Sequence, residues 1–207
     1  MRQVHLISQL FLQQGVLRSR VKSSAKKVHF RQGELDGACG AYSIAMALNI
    51  VGAFDADYLN KETDKVDFRT AEGKLHKTIH EWGLYPNGLS LDDCTSILDT
   101  YKKYVSYETF QDFDSILEAL DNDCPVIVGI DYSGGGHWIV AVGYNLKEGV
   151  LENIYTLDPG SSLPVSAFCN VVLNPGKEKG KRYCYDYSSI DWGAKVKVTD
   201  AIALKKR

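Results

Sequence analysis

Hydrophobic positions change their period near the middle of the chain. Residues 39–51 are apolar or small at nearly every position and predict a helix that Gly52 stops. Helical spacing returns over 70–82, ended by Gly83. It returns again over 90–101, where Ser90 is followed by Asp92 and Asp93, acids suited to a first turn. A fourth helix is predicted over 114–122, after Asp112 as cap. From Pro125 onward the pattern becomes short apolar or alternating runs between turn clusters. Strands are predicted over 126–130, 137–145, 150–157, 165–173 and 182–187, with 195–199 or 201–204 adding another. Residues 174–181 predict a solvated loop. Helices first and strands later predict an α+β fold with the two kinds of element segregated, and no internal repeat is present.

The first 30 residues stand apart. Apolar residues at Val4, Leu6, Ile7, Leu10 and Phe11 have roughly helical spacing, and an Arg/Lys/Ser-rich stretch follows. Residues 1–33 carry a formal charge of +7 with no acid, which leaves −9 for 34–207. The apolar stretch is broken by Ser8, Gln9, Gln13 and Gln14 and is followed by no small-x-small cleavage site, so no secretory signal is predicted. Residues 1–30 are expected to be a basic N-terminal segment, whether for targeting, secretion, weak membrane-surface contact or as a packed helix. Residues 31–207 are expected to form one catalytic domain, large enough to bury a core without disulfides or metal. No apolar run approaches the roughly 18 residues that span a bilayer.

The five cysteines (39, 94, 124, 169 and 184) form no CxxC pair and no metal-like spacing, which suits reduced thiols in a cytosol-like compartment. Cys39 differs from the rest. A turn-rich stretch, Gln32-Gly33-Glu34-Leu35-Asp36-Gly37-Ala38, delivers it to the start of the first helix, where the macrodipole and free N–H groups favour a thiolate. Further along, Ser133-Gly134-Gly135-Gly136 leads into His137-Trp138 at a strand start, and Asp158-Pro159-Gly160 closes the next strand.

The hairpin supplies a geometric expectation. With 146–149 as a symmetric four-residue turn, Asn145 faces Val150, Ala141 faces Ile154, and His137 faces Asp158 on the same side of the sheet. Asp158 would then orient the imidazole, whose second nitrogen would take the proton of Cys39. The three glycines would leave space before the ring, and Trp138 would point to the opposite face. Gly40 would allow close approach of a substrate backbone. The backbone N–H of Cys39 and the side-chain amide of Gln32 are candidate donors to a developing oxyanion. Singly, each residue has a blander reading: a buried cysteine, a structural histidine, an ordinary Asp-Pro-Gly turn. Together, in the order Gln, Cys, His, Asp, they point to a thiol hydrolase.

These residues resemble the pattern of papain-like cysteine peptidases, closest to the C39-like group: Gln32, Cys39-Gly40-Ala41, His137-Trp138-Ile139-Val140 and Asp158-Pro159. The resemblance covers about 31–173. It departs from the family pattern in having six residues, not five, between Gln32 and Cys39, and Gly37-Ala38 where an acid usually precedes the cysteine. It implies a papain-like fold with an N-terminal helical half carrying the cysteine and a C-terminal antiparallel β half carrying His137 and Asp158. It also implies Cys39, His137, Asp158 and Gln32 as catalytic residues.

The expected function is a cysteine peptidase that cuts a peptide or isopeptide bond of a protein or peptide substrate through an acyl-enzyme on Cys39. A free-standing, effector- or toxin-type protease fits the small size, acting in the cytoplasm or delivered into a target cell. Glutamine deamidation and acyl transfer use the same constellation, and a non-catalytic binding module is the alternative of a different class. Intact Cys, His and Asp argue against that module. His76 and His80, at i and i+4, raise a metal enzyme, but His-Lys-Thr-Ile-His lacks the glutamate a metalloprotease needs. No metal, cofactor or nucleic-acid partner is expected.

Overall fold

The chain opens in strands. β1 (Arg2–Leu6), β2 (Leu10–Gln13), β3 (Val16–Val21) and β4 (Ser24–Lys27) precede the first helix. The computed structural model describes residues 1–21, 24–32, 37–82, 88–175 and 182–207. The turn-rich stretch at 33–36, the stop at Gly83 and most of the loop expected at 174–181 lie outside the described residues. The packed helix, one of the alternatives for residues 1–30, is not formed, since β1 to β4 occupy that stretch. At Gln14 and Gly15 the backbone has positive φ, 52° and 75°, and Gln13 pairs with Val16. That two-residue turn folds β2 onto β3, and the ladder it starts outweighs the helical spacing of a few apolar residues.

The helices follow their local signals. α1 (Cys39–Ile50) is buried at every position except Tyr42, as expected of a helix apolar all round. Gly52, at φ 75°, ends it, its N–H bonded to the Asn49 carbonyl. α2 (Ala71–Trp82) and α3 (Leu91–Asp99) come next. At the start of α3 Ser90 accepts from the Asp93 N–H and the Asp93 carboxylate accepts from the Ser90 N–H, a reciprocal capping box. Between α3 and α4 (Phe113–Asp121) the chain inserts β5 (Val105–Phe110), a strand the hydrophobic pattern did not reveal. Asp112 caps α4 by accepting from the Ser115 N–H.

Six strands follow: β6 (Val126–Tyr132), β7 (Gly135–Lys147), β8 (Val150–Leu157), β9 (Val171–Pro175), β10 (Tyr185–Ser189) and β11 (Gly193–Lys206). Each pairs antiparallel with two others in the ring β7–β6–β11–β10–β9–β8, and the β7–β8 ladder closes it. The expected α+β papain-like arrangement, helical first half and antiparallel β second half, is overturned by this topology. Strands flank the helices on both sides, and those of the second half close into a barrel. The physical reason lies in strand length. β7 and β11 run 13 and 14 residues, longer than any neighbour. One edge of β7 takes β6 along 135–141 and then β1 along 143–147. One edge of β11 takes β10 along 193–196 and then β5 along 201–206. The runs 195–199 and 201–204, either one expected to add a strand, are both parts of this one strand.

The core joins α1 to the barrel. Val126–Ile130 and residues 138–143 are buried without alternation, so β6 and β7 are covered on both faces. α1 packs chiefly against β7, and the Ser43 hydroxyl donates to the Trp138 carbonyl at 3.1 Å. This packing brings the start of α1 to the start of β7, where the sequence places Cys39 and His137.

Candidate active site

Cys39 is the first residue of α1. Ala38 before it makes no side-chain cap, so the helix starts without one from its N-cap residue. The side chain of Cys39 is largely buried and borders a cleft of about 600 Å³. His137, on β7 opposite Ile130, borders the same cleft with Leu89, Tyr132, Gly134 and Gly135. The β6–β7 hairpin turns within Tyr132–Gly135, and Gly135 has φ 145°, so glycine is what permits the tight entry into β7.

Asp158 follows directly on β8 and is 1% exposed. Its Oδ1 lies 2.8 Å from Nε2 of His137. The contact forms, but not through the expected register. The hairpin turn has two residues, Glu148 and Gly149, both at positive φ, and Lys147 pairs with Val150. Val140 therefore faces Leu157, two positions from the expected pairing, and two bulges shift the ladder between. A two-residue offset leaves side chains on their original face. Pairing stops at Val140–Leu157, and the turn after Leu157 carries the carboxylate to the ring.

With Nε2 given to Asp158, the ring of His137 also lies within reach of the Cys39 side chain, which raises its proton affinity further. Burial disfavours a charged imidazole here, but the bonds to Asp158 and Cys39 outweigh it and push His137 up to about 10. Burial likewise opposes ionisation of Asp158, yet His137, the Tyr187 hydroxyl and the Gly160 N–H together hold its carboxyl below the usual range.

Asp158 is held from all sides. The Gly160 N–H donates to Oδ1 at 2.5 Å, and the Tyr187 hydroxyl donates to Oδ2. Asn170 accepts from the Asp158 N–H at 2.7 Å and donates to the carbonyls of Asp158 and Ser161 at 2.8 and 2.9 Å. Nε2 of His29, a buried ring that burial holds below its ordinary value, donates to the Asp158 carbonyl at 2.8 Å. Nothing in the sequence pattern marked His29, Asn170 or Tyr187. Each reaches Asp158 from a different segment, and only the barrel assembles them.

The structure thus brings Cys39, His137 and Asp158 into one contact chain. Gln32 joins through its backbone: its N–H donates to the Pro159 carbonyl at 2.9 Å, and its side-chain oxygen is buried. Gly40 serves a different purpose from the expected one. A Cβ there would meet Leu89 at 3.0 Å, so the missing side chain admits Leu89, not a substrate backbone. Trp138 is buried and its Nε1 donates to the Leu89 carbonyl at 2.7 Å, fixing the same cleft wall from the other side. On α2 the Nε2 atoms of His76 and His80 lie 3.2 Å apart, and Nε2 of His76 is 3.1 Å from the Lys61 carbonyl. Among the described residues no three His, Cys, Asp or Glu side chains converge as a metal site, and no helix is long and apolar enough to cross a membrane.

The model of the Peptidase C39 like family matches residues 20–171, nearly three quarters of the chain. Among solved structures, that of a proposed C39-like peptidase from Bacillus anthracis aligns at a TM-score of 0.50 and 20% identity, covering 87% of this chain and 95% of that one. That likeness concerns the fold. No curated protein sequence matches the chain significantly.

Proposed function

The chain belongs to the C39-like peptidase family, whose function is of the cysteine-peptidase type, and we propose on that premise that it cleaves a peptide or isopeptide bond through an acyl-enzyme on Cys39. The observation that carries this reading is the contact chain Cys39–His137–Asp158 at the edge of an open cleft, anchored by the 2.8 Å bond between His137 and Asp158. His137 holds the proton of Cys39, leaving a thiolate paired with an imidazolium. The sulfur attacks the substrate carbonyl carbon, a C–S bond forms, and the carbonyl electrons move onto oxygen. The Cys39 N–H and the Gln32 amide are the donors assigned to that oxyanion. As the C–N bond breaks, the imidazolium gives its proton to the departing amine. A thioester remains. Water then enters, loses a proton to His137 and attacks the thioester carbon, which releases a carboxylic acid and restores the thiol. Asp158 keeps the ring in the required tautomer and stabilises its charge throughout.

The test is a peptide-cleavage profile of the wild-type chain against Cys39→Ala and His137→Ala, each checked for folding by circular dichroism. Peptides cut only by the wild type are the expected result. Cleavage that survives either substitution would refute the assignment. Labelling by a thiol-directed epoxide should be lost in Cys39→Ala and kept in Cys94→Ala, whose thiol burial pushes far above the ordinary range.

A further inference from the structure

We propose that Tyr187 is a positioning residue that sets the basicity of Asp158 and, through it, the proton affinity of His137. The inference deepens the catalytic reading of Cys39, His137 and Asp158 and rests on it. It starts from the inventory of a buried carboxylate. An ionised Asp158 can only accept hydrogen bonds. Its Oδ1 is occupied by His137 and the Gly160 N–H, and its Oδ2 by the Tyr187 hydroxyl. The phenol therefore donates, and it is the one side-chain donor on the oxygen that faces away from the imidazole among the bonds described.

Tyr187 is held in place for this. It lies mid-strand in β10, opposite Leu173 on β9 and Ala194 on β11, and is 2% exposed. Its ring packs against Trp192 at 4.8 Å, and Trp192 packs in turn on Tyr132 at 5.3 Å. A phenol so locked keeps its bond to Asp158, with the Ser161 side chain as its other hydrogen-bonding neighbour. Burial and the neighbouring carboxylate also keep it protonated far above neutral pH, so the donor is present wherever the site operates. The other ionisable groups around the pair are His137 on β7, Cys39 on α1 beyond the ring, Tyr132 on β6, and His29, which bonds the Asp158 backbone and not its carboxylate.

The consequence follows from charge. A donor on Oδ2 withdraws negative charge from the carboxylate, so Asp158 grips the imidazolium less tightly and leaves its proton available for the departing amine. Without the hydroxyl the carboxylate becomes more basic, and His137 keeps its proton to higher pH.

The test uses the full chain and needs no substrate. The rate at which iodoacetamide alkylates Cys39, followed by mass spectrometry of the Cys39 peptide, is measured across pH for wild type, Tyr187→Phe, Asp158→Asn and the double variant. The upper limb of the profile reports loss of the His137 proton. Tyr187→Phe should raise it by about half a unit or more, and the same substitution on the Asp158→Asn background should leave it unmoved. Site-specific 3-fluorotyrosine at 187, a stronger donor of nearly the same shape, should move it downward. It decides the matter if Tyr187→Phe fails to fold. A limb unmoved by either replacement, or moved equally with and without the Asp158 carboxylate, overturns the role of Tyr187. A wild-type profile with no limb assignable to His137 overturns the catalytic reading as well, whereas a chain that cuts no peptide yet shows these shifts separates the two claims.

Discussion

His137 sits half-buried between two acceptors of its proton, so its charge state links the site to the stability of the fold. Its folded value, about 10, lies above the about 6.5 of an unfolded chain. The stabilisation is therefore complete below about pH 6.5 and is lost as pH rises toward the folded value. Asp158 runs the other way. Its folded value is depressed, so its contribution is present above about pH 4 and disappears as pH falls through the folded value. We expect denaturant midpoints of the wild type to decline on both flanks and Asp158→Asn to flatten the acid flank; an acid flank equally steep in the variant would contradict the assignment. The same substitution should lower peptide turnover by about 10²–10⁴-fold without abolishing it, because the base remains while its tautomer and orientation suffer. Cys39, His137 and Asp158 could be picked out as candidates from residue types and neighbours alone. Tyr187 could not, since the tyrosine 29 positions beyond the aspartate resembles its neighbours Tyr183 and Tyr185 in a β-like run.

Elements were legible where their signals are local. The stop at Gly52, the Ser90–Asp93 box and the Asp112 cap lie within a few residues of the bonds they make. Register was not legible, because one turn type and two bulges decide it. Gly143 shows what such a detail contributes. It lies at a bulge of β7, where a Cβ would stand 2.4 Å from the His5 carbonyl oxygen and 3.1 Å from the Leu6 Cα, so β1 docks only on a residue without a side chain. Gly143→Ala should cost about 1–3 kcal/mol, the scale of overpacking in a tight interior. Urea unfolding would measure it, and an unchanged midpoint would show that β1 gives way freely.

At the scale of the molecule, the closed barrel ties distant segments to one site. β1 lies along the edge of β7 that β6 leaves open, His5 Nε2 donates to the Leu120 carbonyl at 2.8 Å, and Ser8 bonds Asp123 through both its N–H and its hydroxyl. The first nine residues thus belong to the packing of β7 and α4. Deleting them should expose residues 143–147 of β7 as a free edge and lower the melting temperature by about 5 °C or more, as expected when several kcal/mol are lost from a chain of this size. Thermal unfolding followed by circular dichroism tests this; an unchanged melting temperature would mean that β1 is an ornament on a self-sufficient barrel.

The sequence by itself determined four helices and the local signals that bound α3 and α4, most strands after Pro125, and a candidate nucleophile, base and acid in a recognisable order. These are consequences of periodicity, capping chemistry and side-chain type, all written within short windows. Only the tertiary structure decided that the first segment is β and not helical, that six strands close on themselves, and that His29, Asn170 and Tyr187 converge on Asp158. Pairing between strands far apart in sequence is chosen by the total burial and hydrogen bonding of the closed barrel, and no local window contains that sum.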